Sequence, residues 1–149
     1  MALKDFLKNL FHVGFSAPRS ETISAKDGIQ WRGWNDETEK LIAERNRPVL
    51  LYVANTDPMV WPFLKAVFNS IPKNPKLCEL LHDYYIALFM KADSIPEYFS
   101  DLGAGKSYNI AILSPAGLTP LVTIDPISGK PEEIVTTITK VLIELQKVY

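Results

Sequence analysis

Thiol is what this chain has least of: one cysteine, Cys78, in 149 residues. A lone cysteine closes no internal disulfide and cannot supply the paired ligands of a structural zinc site. That scarcity fits a reducing compartment. Histidine is nearly as sparse. His12 and His82 stand far apart without metal-ligand spacing, so buried or solvated roles are expected, and neither a metal nor a cofactor is implied. An excess of charge is missing too, with sixteen basic residues against seventeen acidic and a net charge of -1. No global field draws such a chain onto nucleic acid, and no long basic run is present. Long apolar runs are also absent. No segment reaches the ~18–20 residues of a membrane-spanning helix. Lys4, Asp5, Lys8 and Asn9 interrupt the apolar stretch a secretory signal would need, and no A-x-A-like cleavage site follows. The expected location is therefore cytoplasmic.

What is present is ordinary for a soluble domain: 47% hydrophobic and 22% charged residues. A domain of this length buries roughly 70% of its unfolded surface and needs no staple. Leu3, Phe6, Leu7, Leu10 and Phe11 recur at helical spacing, which predicts an amphipathic helix over residues 1–15. Two roles fit its apolar face. It can pack on its own domain or a partner subunit, making a homo-oligomer. It can also lie in a membrane interface as a peripheral contact, although Asp5 nearly balances its charge. Residues 16–28 are polar and read as a linker.

The compact domain follows over residues 29–149. Asn35 or Asp36 can cap a helix that Asn46-Arg47-Pro48 breaks. Val49-Leu50-Leu51-Tyr52-Val53-Ala54 has the pattern of a strand buried on both faces. A turn at Asn55-Thr56-Asp57-Pro58 leads to a helix over residues 59–69, with Pro62 in or near its first turn. Pro75 opens another helix, and residues 84–90 form a second buried strand. A short helix over 95–102 ends at Gly103. Residues 110–113 and 120–124 make a hairpin around Ser114-Pro115-Ala116-Gly117, and Pro131 opens a final helix. A βαβ unit followed by a ββα unit predicts an α/β fold, a mixed central sheet with helices on both faces.

From Ile29 onward the chain resembles the thioredoxin-like superfamily. The resemblance rests on Trp31-Arg32-Gly33-Trp34, a helix ending at Asn46, Arg47-Pro48-Val49-Leu50-Leu51, and the later Leu113-Ser114-Pro115-Ala116-Gly117. It implies a three-layer αβα sandwich. Active members carry C-x-x-C after the first central strand, where a helix N-terminus lowers the pKa of the attacking thiol. The matching tetrapeptide here is Pro58-Met59-Val60-Trp61. Neither sulfur is present, and the thioether of Met59 forms no thiolate. Active members also place a cis-proline where this chain has Tyr108; a non-proline cis bond costs about 2.5–4 kcal/mol, so a trans peptide and a reshaped groove are expected.

The resemblance thus implies a scaffold without ordinary thiol–disulfide chemistry and without an enzyme's catalytic residues. Asp57, Pro58, Met59, Val60, Trp61 and Tyr108 are the candidate contact surface for a protein partner, since Trp, Tyr and Met are enriched in interfaces. Trp61 can equally plug space the cysteines left. Two alternatives stay open: an atypical thiol oxidoreductase using Cys78 alone, and a membrane-associated adaptor using the first helix. Gly103-Ala104-Gly105-Lys106-Ser107 echoes a phosphate loop, but Ser100 stands where a glycine is required and a strand, not a helix, follows. Asp57, Asp93 and Asp101 have nothing in sequence to unite them as ligands.

Overall fold

A computed structural model describes residues 29–148. The expected first helix, with Leu3, Phe6, Leu7, Leu10 and Phe11, and the linker over 16–28 lie outside the described residues. Five strands form one mixed sheet in the order β1-β3-β2-β4-β5. They are β1 (Trp31–Arg32), β2 (Val49–Ala54), β3 (Ile86–Lys91), β4 (Ile110–Leu113) and β5 (Pro120–Ile124). β1 and β2 both pair in parallel with β3, whereas β4 runs antiparallel to β2 and β5 antiparallel to β4.

Five α-helices cover the sheet among the described residues: α1 (Asp36–Arg45), α2 (Trp61–Ser70), α3 (Pro75–Asp83), α4 (Glu97–Asp101) and α5 (Pro131–Gln146). Alternation along β2 divides the core between the two faces. Leu50, Tyr52 and Ala54 point toward α2, α3 and α5, packing with Leu64, Phe68, Leu80, Ile138 and Leu142. Val49, Leu51 and Val53 point the other way, toward Ile42 of α1 and Phe99 of α4. Every residue of β2 is buried, so it is the central strand its composition predicts.

The two tryptophans of the W-x-x-W segment serve opposite faces. Trp31 enters an aromatic cluster, its ring centroid 5.0 Å from Phe68, which in turn lies 4.9 Å from Tyr52 and 5.2 Å from Phe89. Trp34 meets Phe99 edge-on at 4.8 Å on the far side of the sheet. Together they clasp the two-residue edge strand β1 from both layers. Such ring pairs each add about 0.5–1.5 kcal/mol beyond burial.

Local chemistry sets most boundaries. Asn35 caps α1 by accepting from the Thr38 amide, and Asn74 caps α3 by accepting from Leu77. Asn46 ends α1 in the left-handed region at φ 51°, a conformation asparagine tolerates. Three boundaries differ from expectation. α2 begins at Trp61, not residue 59, because Asp57 closes a turn over 57–61 first. β3 begins at Ile86 because Tyr84 and Tyr85 still donate their amides to Leu80 at the end of α3. α4 begins at Glu97 because Pro96 holds Ile95 extended at ψ 128°. No helix among the described residues is long and apolar enough to cross a membrane.

Candidate partner-binding cleft

The parallel strands β2 and β3 end on one side of the sheet, and there the chain must turn away from β2 beside the antiparallel β4. Ligand sites in open α/β sheets favour that place, beyond the carboxyl ends of the parallel strands. A cleft of about 250 Å³ opens there. Val60, from the loop before α2, lines one side. Tyr108 and Asn109 line it just ahead of β4, and Asp125, Pro126 and Ile127 just after β5. Pairing of Ile110 with Ile124 places the last two segments side by side.

The loop from Asn55 to Val60 is held by its own polar groups. Asn55 Oδ1 accepts from the Asp57 amide at 3.0 Å, and Asp57 Oδ1 accepts from the Met59 amide at 2.9 Å. The Asp57 carbonyl then accepts from Val60 and Trp61, at 2.9 and 2.8 Å. Pro62 has no N–H, and the next amides, Phe63 and Leu64, reach the Val60 carbonyl. The amides that open a helix ordinarily polarise an anion placed there. Here Asp57 and Val60 use them all. The positive end of α2 is thereby engaged, and no thiol stands beside it.

The six sequence candidates do not form one surface. Asp57, Pro58 and Met59 are exposed, Met59 most of all at 75%. Val60 and Trp61 are half-buried and pack against the core on the α2 side. Tyr108 is only 5% exposed, and its ring belongs to the core on the other face, with Phe99 and Leu113. Burial pushes its phenol above the ordinary value. The Tyr108 hydroxyl and Asn109 Oδ1 are both buried without a hydrogen-bond partner among the described residues. Tyr108 therefore shapes the cleft from within.

Ile127 after β5 adds exposed apolar surface to the cleft, at 46%, and Phe63 on α2 is exposed as well, at 42%. Sequence reading passed over Asn109, Phe63 and Ile127. The first two carried no motif, and Ile127 reaches the site only through the β4–β5 register.

The remaining sequence candidates fall elsewhere. Cys78 is buried on α3, its Sγ 3.8 Å from the Ile71 carbonyl and 3.7 Å from that of Pro72. A thiol packed this way is only 8% exposed and behaves as a small apolar side chain. In the glycine loop, the amides of Lys106, Ser107 and Tyr108 all point to the Gly103 carbonyl, and that of Gly105 to the Tyr108 carbonyl. None is left to cradle a phosphate. Among the described residues no cluster of His, Cys, Asp or Glu could hold a metal ion. A comparison with known protein families finds no match, and one with curated proteins finds none either.

Proposed function

We propose that this chain is a redox-inactive protein-binding module on a thioredoxin-like scaffold, gripping a partner at the cleft beside the Asp57–Trp61 loop. The mixed sheet with helices on both faces supports the scaffold reading, since the resemblance implies an αβα sandwich. One observation carries the binding role. The loop that would hold reactive cysteines instead presents an exposed thioether, Met59, beside a cleft rimmed by Val60 and Ile127. Flexible, polarizable methionine at an exposed rim suits an apolar side chain of a protein partner. Partner contact here uses packing and shape, with no covalent step.

The test is a displayed random-peptide library panned against the full chain. Enriched peptides should lose at least about tenfold in affinity on Met59→Asp or Ile127→Asp, which place a charge on the apolar rim. Leu121→Asp, on the exposed side of β5, should leave them bound. Circular dichroism confirms that each variant folds. Absence of any enriched peptide, or equal binding by all three variants, would overturn the reading.

A further inference from the structure

At the opposite end of the sheet, where β2 and β3 begin, a second and larger hollow of about 480 Å³ opens between β1, α1 and α3. Three arginines reach it from three separate segments. Arg32 is the second residue of β1, in register with Leu88 of β3. Arg45 is the last residue of α1, and Arg47 lies between α1 and β2. Buried Leu81, Tyr85 and Ala87 border it as well, but most of its exposed lining is polar.

No ion pair among the described residues neutralises these guanidiniums. Arg32 donates to the Gln30 side-chain oxygen at 3.2 Å, and Arg45 and Arg47 have no side-chain hydrogen bond or carboxylate within salt-bridge distance. Two acidic groups are near. Asp83 on the rim is engaged by His82 at 2.7 Å, and Glu37 on α1 acts on Arg32 from a distance. Burial, and next the charge of Arg45, pull Arg32 below its ordinary value, with Glu37 opposing. Two like charges, one of them on the partly buried Arg32, are thus held within each other's field at one hollow. Such an arrangement destabilises the empty site, and an anion between the charges reverses the sign.

We propose that this hollow is a binding site for a small soluble phosphate-bearing molecule, held by Arg32, Arg45 and Arg47. The guanidinium fork matches phosphate oxygens two at a time, and a phosphate dianion has enough oxygens to engage more than one fork. The volume lies within the ~300–1,000 Å³ of ordinary small-molecule sites. This site lies at the far end of the strands from the proposed partner cleft and does not depend on it.

The test is an NMR titration of the full chain with inorganic phosphate and pyrophosphate, against sodium chloride and citrate at matched ionic strength. Phosphate should shift amides around Arg32, Arg47 and His82 saturably, and pyrophosphate should bind more tightly. The Arg45→Gln/Arg47→Gln double variant should weaken both by about tenfold or more, while its ligand-free unfolding midpoint stays equal to or above the parent's. Arg47→Lys should weaken binding as well, because it keeps the charge and loses the fork. Shifts no larger than those in chloride, equal affinity for citrate, or undiminished binding by the double variant would overturn the proposal. Phosphatidylcholine vesicles with and without phosphatidic acid form the last arm. Co-sedimentation that needs phosphatidic acid and is lost in the Arg45→Gln/Arg47→Gln variant, with no saturable shift by free phosphate or pyrophosphate, would assign the anion to a lipid headgroup and overturn the soluble ligand.

Discussion

Tyr108 lines the proposed partner cleft from within and holds a buried hydroxyl that has no hydrogen-bond partner among the described residues. A buried unsatisfied group costs about 1–3 kcal/mol of desolvation. Tyr108→Phe removes that cost and keeps the ring in its core, so its urea midpoint should equal or exceed the parent's. A loss of stability would mean the hydroxyl is bonded after all. Cys78 makes a second prediction of this kind. Its thiol should resist aromatic disulfide reagents in the native state and react as one equivalent in denaturant. Rapid native labelling would reopen the single-thiol reading. The sequence disclosed the missing cysteines, because absence is visible in a letter string. It could not disclose that Tyr108 faces inward, since which face a residue just before a strand serves depends on the whole sheet.

Helix starts were legible only in part: Asn35 stood with Asp36 as the candidate cap of α1, whereas α2 and α4 begin two residues later than expected. Asn35 and Asn74 each accept an amide hydrogen bond three residues on. Asn35→Ala and Asn74→Ala should each cost about 1 kcal/mol, read from urea unfolding. Asp36→Ala, immediately beside the first cap, should cost less. Hairpin partners β4 and β5 also followed from sequence, with Ser114-Pro115-Ala116-Gly117 between them. The edge strand β1 did not. It has two residues, and no period can be read from two residues. It exists because Trp31 and Trp34 pack on opposite faces and hold the backbone against β3.

For the molecule as a whole, the buried phenols make stability sensitive to alkali. Burial pushes Tyr85 up to about 12, and raises Tyr52 and Tyr108 as well. Tyr85 donates to the Leu142 carbonyl at 2.5 Å, tying the start of β3 to α5, and Tyr52 donates to the Leu64 carbonyl of α2. These phenols keep their protons to higher pH than the unfolded chain, in which tyrosine titrates near ~10. Above that value the unfolded state binds fewer protons, so stability falls as pH rises. The contribution is complete below pH ~10 and is lost on passing through about 12. Tyrosinate absorbance should therefore rise in two stages, the later one coinciding with loss of near-ultraviolet circular dichroism. A single early stage for all tyrosines would contradict this.

By itself the sequence determined the order of the helices and of strands β2 to β5, the opening of α3 at Pro75 and of α5 at Pro131, and that no thiol pair exists. Those properties are local or additive. Only tertiary structure decided that Tyr108 serves the core, that Ile127 reaches the rim of Val60, and that Arg32, Arg45 and Arg47 share one hollow. The physical reason is pairing across the sheet. β1 lies against β3 and β4 against β2, so residues far apart in the chain meet through strand register, which no local pattern encodes.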